Sequence, residues 1–184
     1  MNSYQVLITG ANRGIGLEFT KQYAADGWKV LACCRQPQSA IALQALASAN
    51  SNIEILALDV ANFKQIDALA LQLKDTAIDV LINNAGVYPH SSFGDTNYDD
   101  WAEAFKINAM ASLKMAEAFV QHITRSQLKK VATLSSKMGS IDDNTSGDSY
   151  SYRASKTAVN MVMKSLSIDL KPYLSVAKPA RQFA

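Results

Sequence analysis

Apolar residues along this chain fall into two alternating patterns. Short runs rich in Val, Ile, Leu and Cys occur at Gln5–Thr9, Lys29–Cys33, Ile53–Leu58, Asp79–Ile82 and Lys129–Leu134. Between them, apolar side chains recur at helical spacing in Ile15–Asp26, Ser39–Ala49, Phe63–Lys74, Tyr98–His122 and Tyr150–Lys171. The runs predict buried strands, and the spaced stretches predict helices. Parallel strands need crossover connections, so strict strand–helix alternation predicts a parallel sheet covered by helices on both faces. Right-handed crossovers then give strand order 3-2-1-4-5, an α/β doubly wound parallel sheet. Ligands of such sheets lie beyond the carboxyl ends of the strands, where the order reverses. Here that point falls between the first and fourth strands.

Composition narrows the class without naming a function. The chain has 184 residues, 48% of them hydrophobic and 18% charged, which fits one globular domain over residues 1–184. The polar stretch Gly139–Ser149 reads as a loop and not a linker. Net charge is +2, with Lys and Arg scattered, so no nucleic-acid partner is expected. No apolar run approaches the roughly 18 residues of a membrane span, and no charged leader precedes the first strand. Cys33 and Cys34 are adjacent on a strand, point to opposite faces and are poorly placed to bridge each other. They read as small buried hydrophobes in a reducing compartment, and the expectation is a cytoplasmic protein. His90 and His122 have no metal-ligand neighbours in the sequence and read as loop and helix-surface residues; no metal is expected. Trp101, Phe105 and Met115 recur at helical spacing and read as core or interface.

Chemistry enters at the first turn. The first strand runs into Thr9-Gly10-Ala11-Asn12-Arg13-Gly14-Ile15-Gly16. Glycines there let the backbone approach a pyrophosphate, and the following helix N-terminus offers free N–H groups and a favourable dipole. The alternative is a tight turn in which glycine serves geometry alone. At the end of the second strand, where NAD-specific sites place a carboxylate for the ribose hydroxyls, the chain reads Cys33-Cys34-Arg35-Gln36. A guanidinium fork at Arg35, with Arg13 opposite, suits a 2′-phosphate, and the expected cofactor is NADP(H). Two solvated arginines are the plainer alternative.

Tyr152 and Lys156 are four residues apart and share a helix face. A free phenol titrates near ~10, too high for proton transfer at neutral pH, and an ammonium one turn away lowers it. Such pairs are common on solvated helices; context gives this one weight. Ser135-Ser136 closes the fifth strand and places a hydroxyl at the binding edge of the sheet. Turn chemistry is the other reading of these serines.

Taken together, Thr9–Gly16, Asp59-Val60, Asn83-Asn84-Ala85-Gly86, Asn108, Ser135-Ser136 and Tyr152–Lys156 resemble the short-chain dehydrogenase/reductase family, in the same order and context from Met1 to about Tyr173. Ser135–Ile141 with Tyr150–Lys156 looks especially like the C-factor and sniffer-type carbonyl reductases. The resemblance implies a Rossmann fold and NADPH-dependent reduction of a ketone or aldehyde, or the reverse oxidation of an alcohol. It implies that Tyr152 transfers the proton, Ser136 polarises the carbonyl, and Lys156 lowers the phenol pKa and holds the nicotinamide ribose. It implies that Asn108 positions a water, Asp59 touches adenine beside Val60, and Asn83, Ala85 and Gly86 line the middle of the cofactor. Gly10, Asn12, Arg13, Gly14, Ile15 and Gly16 form the phosphate turn. A homodimer through the fourth and last helices is expected by the same token.

The resemblance weakens beyond Tyr173. A sixth strand, a Pro-Gly loop over the nicotinamide and a substrate-binding helix would follow, whereas 174–184 reads as a divergent tail and Lys178-Pro179-Ala180 is a poor stand-in for the loop. The expectation is therefore a C-terminally shortened fold with a short strand at best near Leu174–Ala177. Its fifth strand would have an open edge, with fewer contacts for the nicotinamide and one pocket wall missing. That leaves a rival to the enzyme: a nucleotide-binding or regulatory protein of weak activity.

Overall fold

The computed structural model describes residues 4–176. Its main sheet takes β1 (Gln5–Thr9), β2 (Lys29–Cys34), β3 (Ile53–Ala57), β4 (Val80–Asn83), β7 (Lys130–Thr133) and β8 (Ser175–Val176) in the order β3-β2-β1-β4-β7-β8. A separate two-stranded ladder pairs β5 (Ser91–Ser92) with β6 (Asp95–Thr96). Every pairing in the main sheet is parallel, with Leu7 in register with Leu31 on one side and Leu81 on the other. The strand order expected from alternation is present, with one strand added.

Strand period sorts the core into two layers. Val6, Ile8, Val30, Ala32, Val80 and Ile82 face α1 (Gly14–Ala25) and α2 (Ile41–Ala49). Leu7, Leu31, Leu81 and Val131 face the other way, toward α3 (Phe63–Gln72), α5 (Ala111–Thr124) and α6 (Tyr150–Asp169). Cys33 and Cys34 fall on opposite layers, both buried and both free. Asp79 precedes β4 instead of joining it. Its carboxylate accepts from the backbone N–H groups of Gln5, Gln127 and Leu128, tying together the starts of three strands.

Three expectations need correcting. The fifth strand of the main sheet, β7, does not present a bare edge: β8 pairs with it at Lys130 and Val131, and Ser175 N–H donates to Lys129 O. Ala177 and the tail segment 178–180 lie outside the described residues. The long fourth helix is not uniform: α4 (Tyr98–Phe105) passes through a π-helical turn at Lys106–Met110 before α5. An extra residue per turn of this kind is typical of functional sites. His122 is not on the surface. It is 5% exposed, with Nε2 bonded to Ala70 O at 3.0 Å, Nδ1 unpartnered, and burial holding its pKa below the ordinary histidine value. The α5 helix turns that position onto α3, a packing choice the local pattern does not encode. Among the described residues no helix is long and apolar enough to cross a membrane.

Candidate active site

A crevice of about 850 Å³ runs along the carboxyl ends of the strands. Its floor is the turn between β1 and α1, which contributes Gly10, Asn12, Arg13, Gly14, Ile15 and Gly16. Gly10 has φ of +65°, the left-handed region where glycine is at ease. Gly16 answers to close packing: a Cβ there would stand 2.2 Å from Gly10 O and 2.4 Å from Asn84 Nδ2. The turn therefore lies flat against β4, and the first N–H groups of α1 face the crevice without a side-chain cap. Arg13 and Arg35 are both exposed on the lining, with Gln36 and Ser39 following Arg35. Asp59, Val60 and Gln65 close the opposite wall. Asp59 Oδ1 accepts from Ala61 N–H at 3.0 Å, while its own N–H donates to Gln65 Oε1 at 2.9 Å.

The switch point between β1 and β4 is knitted by a buried hydroxyl. Thr9 Oγ1 accepts from the N–H groups of Asn84 and Ala85, each at 3.0 Å. Asn84 Nδ2 in turn donates to Thr9 O at 2.8 Å and Gly10 O at 3.1 Å. Asn84, Ala85 and Gly86 line the crevice. Asn83 does not: it is 5% exposed and its Nδ2 points to Ser112 O and Thr133 Oγ1 beneath the sheet edge. Asn83 is the last residue of β4 and Asn84 the first beyond it, so the chain turns only the second toward Thr9 and Gly10. The sequence singled out Asn83; the structure puts Asn84 there. Gln36, Ser39 and Gln65 were also missed: polar residues after a strand or in the first turn of a helix carry no signal beyond turn and capping chemistry.

Beyond Gly86 the construction changes. A Cβ at Gly86 would lie 3.1 Å from Asn108 Oδ1 and 3.8 Å from Lys156 Nζ. Asn108, 2% exposed within the π turn, accepts from Val87 N–H and donates to Val87 O and Ser155 Oγ, all at 2.9 Å. Both of its N–H donors are thus committed to bracing the chain. Ser155 Oγ passes the connection to Tyr152 O at 2.8 Å. Lys156 is 5% exposed, donates to Leu134 O at 2.8 Å, and burial holds its pKa below the usual lysine value. Its Nζ lies 5.7 Å from the centroid of the Tyr152 ring. Tyr150, the neighbouring phenol, opens α6 on an exposed position.

Ser135 and Ser136 separate cleanly. Ser135 Oγ turns to Asn160 Oδ1 on α6 at 2.6 Å. Ser136 caps the short 3₁₀ turn Lys137–Gly139, its Oγ accepting from Met138 N–H at 3.2 Å, which leaves the hydroxyl proton free to donate. That turn is pressed on α6: a Cβ at Gly139 would stand 2.9 Å from Lys156 C and O, and Thr157 and Asn160 both donate to Gly139 O. Of the three residues expected in core or interface, Met115 is buried, whereas Phe105 stays partly exposed and Trp101 stacks on Tyr98. His90 is a loop residue paired with Asp95 at 3.2 Å.

Known proteins share the sequence pattern and the fold. The chain is 42% identical over 106 residues to C-signal from Myxococcus xanthus, an alignment covering 57% of this chain and 64% of that protein. Its structure superposes on an NADPH-bound carbonyl reductase from chicken fatty liver with a TM-score of 0.88 at 31% identity, covering 96% of this chain and 74% of that one. Against the carbonyl reductase Sniffer of Drosophila melanogaster the TM-score is 0.86 at 32% identity, covering 95% and 78%. The matched region spans about two thirds, 64–66%, of the length of the first curated relatives. The family model described as short chain dehydrogenase matches residues 4–178. With that pattern running through nearly the whole sequence and the matching sheet beneath it, the chain belongs to the short-chain dehydrogenase family.

Proposed function

We propose that the chain binds NADPH in the crevice and reduces a ketone or aldehyde, or oxidises the corresponding alcohol. One observation carries the reading: the buried Lys156 ammonium stands against Gly86 at the end of the crevice, one helical turn from the Tyr152 phenol. The residues present fit a phosphorylated dinucleotide. The turn at Gly10–Gly16 leaves uncapped N–H groups toward a pyrophosphate, and Arg13 and Arg35 offer two guanidinium groups to a 2′-phosphate. Asp59 and Val60 then meet the adenine.

When bound, NADPH supplies the hydride that the carbonyl carbon accepts. Tyr152 gives its hydroxyl proton to the carbonyl oxygen, and in the reverse direction takes it from the alcohol. Lys156 keeps its side-chain nitrogen one helical turn from the phenol, where a positive charge steadies the oxygen as its proton leaves. Ser136, with its hydroxyl proton free, donates to the same oxygen and fixes the carbonyl for attack. Asn108 is a positioning residue: it holds Val87 and, through Ser155, the turn of α6 that carries Tyr152. Exposed Phe105, Met110 and Leu113 along α4 and α5, with Met161 and Ile168 on α6, support pairing of two copies through these helices.

The test is NADPH oxidation with a panel of reactive carbonyls. Tyr152→Phe is expected to lower turnover at least about 100-fold, the scale of one general acid, while NADPH binding by fluorescence titration stays intact. NADPH is expected to bind at least about tenfold tighter than NADH, with Arg35→Ala erasing most of the difference, as one charge-assisted pair would. Binding without turnover in the wild type would select the rival, a nucleotide-binding protein; equal affinities for the two cofactors would remove NADPH preference.

A further inference from the structure

The neighbour of the reacting phenol is a second phenol that none of these roles uses. Tyr88 lies two residues past Gly86, and its ring packs on that of Tyr152 with centroids 4.4 Å apart and planes tilted by 53°. Its hydroxyl lies 2.6 Å from Ser149 Oγ, immediately before α6. The peptide on its other side is equally fixed, because Asn108 holds both the N–H and the C=O of Val87. A few residues on, Ser91 Oγ meets Ser151 Oγ at 2.8 Å and accepts from Ser151 N–H at 3.0 Å. The 87–91 segment and the first turn of α6 are therefore one unit.

Despite these ties, 57% of Tyr88 remains exposed. An aromatic ring anchored through its hydroxyl and its backbone, yet open on much of its surface, is a preorganised contact area. It has only two side-chain torsions, and here both are already restrained, so covering it costs little entropy. Another ring laid on it in an offset or edge-on pose would gain area burial and the quadrupole term together. The ring itself packs on the phenol to which a carbonyl oxygen must come.

We propose that Tyr88 is a specificity-determining wall of the carbonyl site, selecting substrates that carry an aryl or other flat conjugated group next to the carbonyl. The proposal rests on the reductase reading above. A carbonyl held by Tyr152 and Ser136 places one substituent beside the Tyr152 ring, within reach of Tyr88. A flat substituent stacks there. A puckered saturated ring of the same carbon count cannot approach as closely, and the Ser149 tie prevents Tyr88 from rotating to follow it.

Benzaldehyde and cyclohexanecarbaldehyde test this, with NADPH and the full chain as wild type, Tyr88→Leu and Tyr88→Phe. Benzamide, which this chemistry does not reduce, is titrated calorimetrically into the NADP⁺-loaded protein in parallel. Tyr88→Leu is expected to raise KM for benzaldehyde and weaken benzamide by about fivefold, the scale of one ring–ring contact, and to leave the saturated aldehyde within about twofold. Tyr88→Phe keeps the ring and cuts the Ser149 tie, so benzamide affinity is expected to stay within about twofold while the preference for benzaldehyde over the saturated aldehyde narrows. Equal losses for both aldehydes would overturn the proposal and leave Tyr88 a structural brace. Turnover with benzamide binding indifferent to Tyr88 would overturn the wall and spare the reductase reading. Tyr88-dependent benzamide binding without turnover would support the wall and sink the chemistry instead; neither binding nor turnover would overturn both.

Discussion

At the glycine-turn end the surface offered to the crevice is largely main chain, the uncapped N–H groups of α1 and the peptides around Gly10 and Ala85, held in place by the Thr9 hydroxyl and the Asn84 amide. At the tyrosine end the contacts are made by side chains, with Asn108, Ser155 and Lys156 each joining elements far apart in sequence and Ser136 capping the turn that follows it. A main-chain cradle tolerates many side chains but no change of backbone path. A side-chain lattice tolerates backbone adjustment but no lost donor. The two ends should accordingly fail in different ways, and that difference can be pressed experimentally.

The largest effect belongs to the cradle. Gly16→Ala puts a methyl group 2.2 Å from a backbone oxygen that has nowhere to go. NADPH affinity is expected to fall at least about 30-fold through displacement of the turn, read by fluorescence titration with circular dichroism to check folding. An affinity within threefold of wild type would show that the cradle yields, and would blur the contrast.

Next comes the lattice. Asn108→Ala deletes one acceptor and two donor contacts at a 2% exposed position. Stability is expected to drop by ~2 kcal/mol, lowering Tm by about 4–8 °C for a chain of this size. Turnover should fall about tenfold or more, on the scale of a misplaced reacting group, while NADPH affinity changes little. Loss of affinity equal to the loss of turnover would mean the two ends are not separable.

The smallest effect concerns neither end and calibrates both. Burial keeps His122 neutral below the usual histidine pKa, so on acidification the unfolded chain takes up a proton there before the folded one does. Its contribution to stability is present above pH ~6.5 and declines as pH falls through that value. Urea unfolding at pH 7.5 and 5.5 should show wild type losing more stability than His122→Gln over the same interval. An identical pH dependence in both proteins would contradict the assignment of that slope to His122.

Much of the fold was legible because parallel strands buried on both faces are continuous apolar runs, and their register follows from alternation. Val6 and Ile8 against Leu7, or Cys33 against Cys34, sort to opposite layers by period alone. Gly10, Arg13 and Arg35 were legible as crevice residues because ligands of such sheets lie beyond the carboxyl ends of the strands; Asp59 was legible only through the family resemblance. Asn83 and Asn84 were not distinguishable: they are identical side chains at a strand terminus, and which one turns outward depends on where β4 leaves the sheet. His122 was misread because helix α5 buries a wide face against α3. Tyr88 was passed over because an aromatic residue in a loop has no periodicity to interpret, and β8 was uncertain because two residues are too few to show one.

What the sequence determined by itself was the alternation of strand and helix, hence the parallel sheet, the place of the crevice and the residue types brought to it. These are consequences of local pattern and chain connectivity. The tertiary structure alone decided which side chains are braced and which stay open: Asn108 clamped to Val87, Ser136 with a free proton while Ser135 is tied, Tyr88 anchored beside Tyr152. Such choices rest on contacts between elements dozens of residues apart, whose angles are set by packing rather than by any neighbour along the chain.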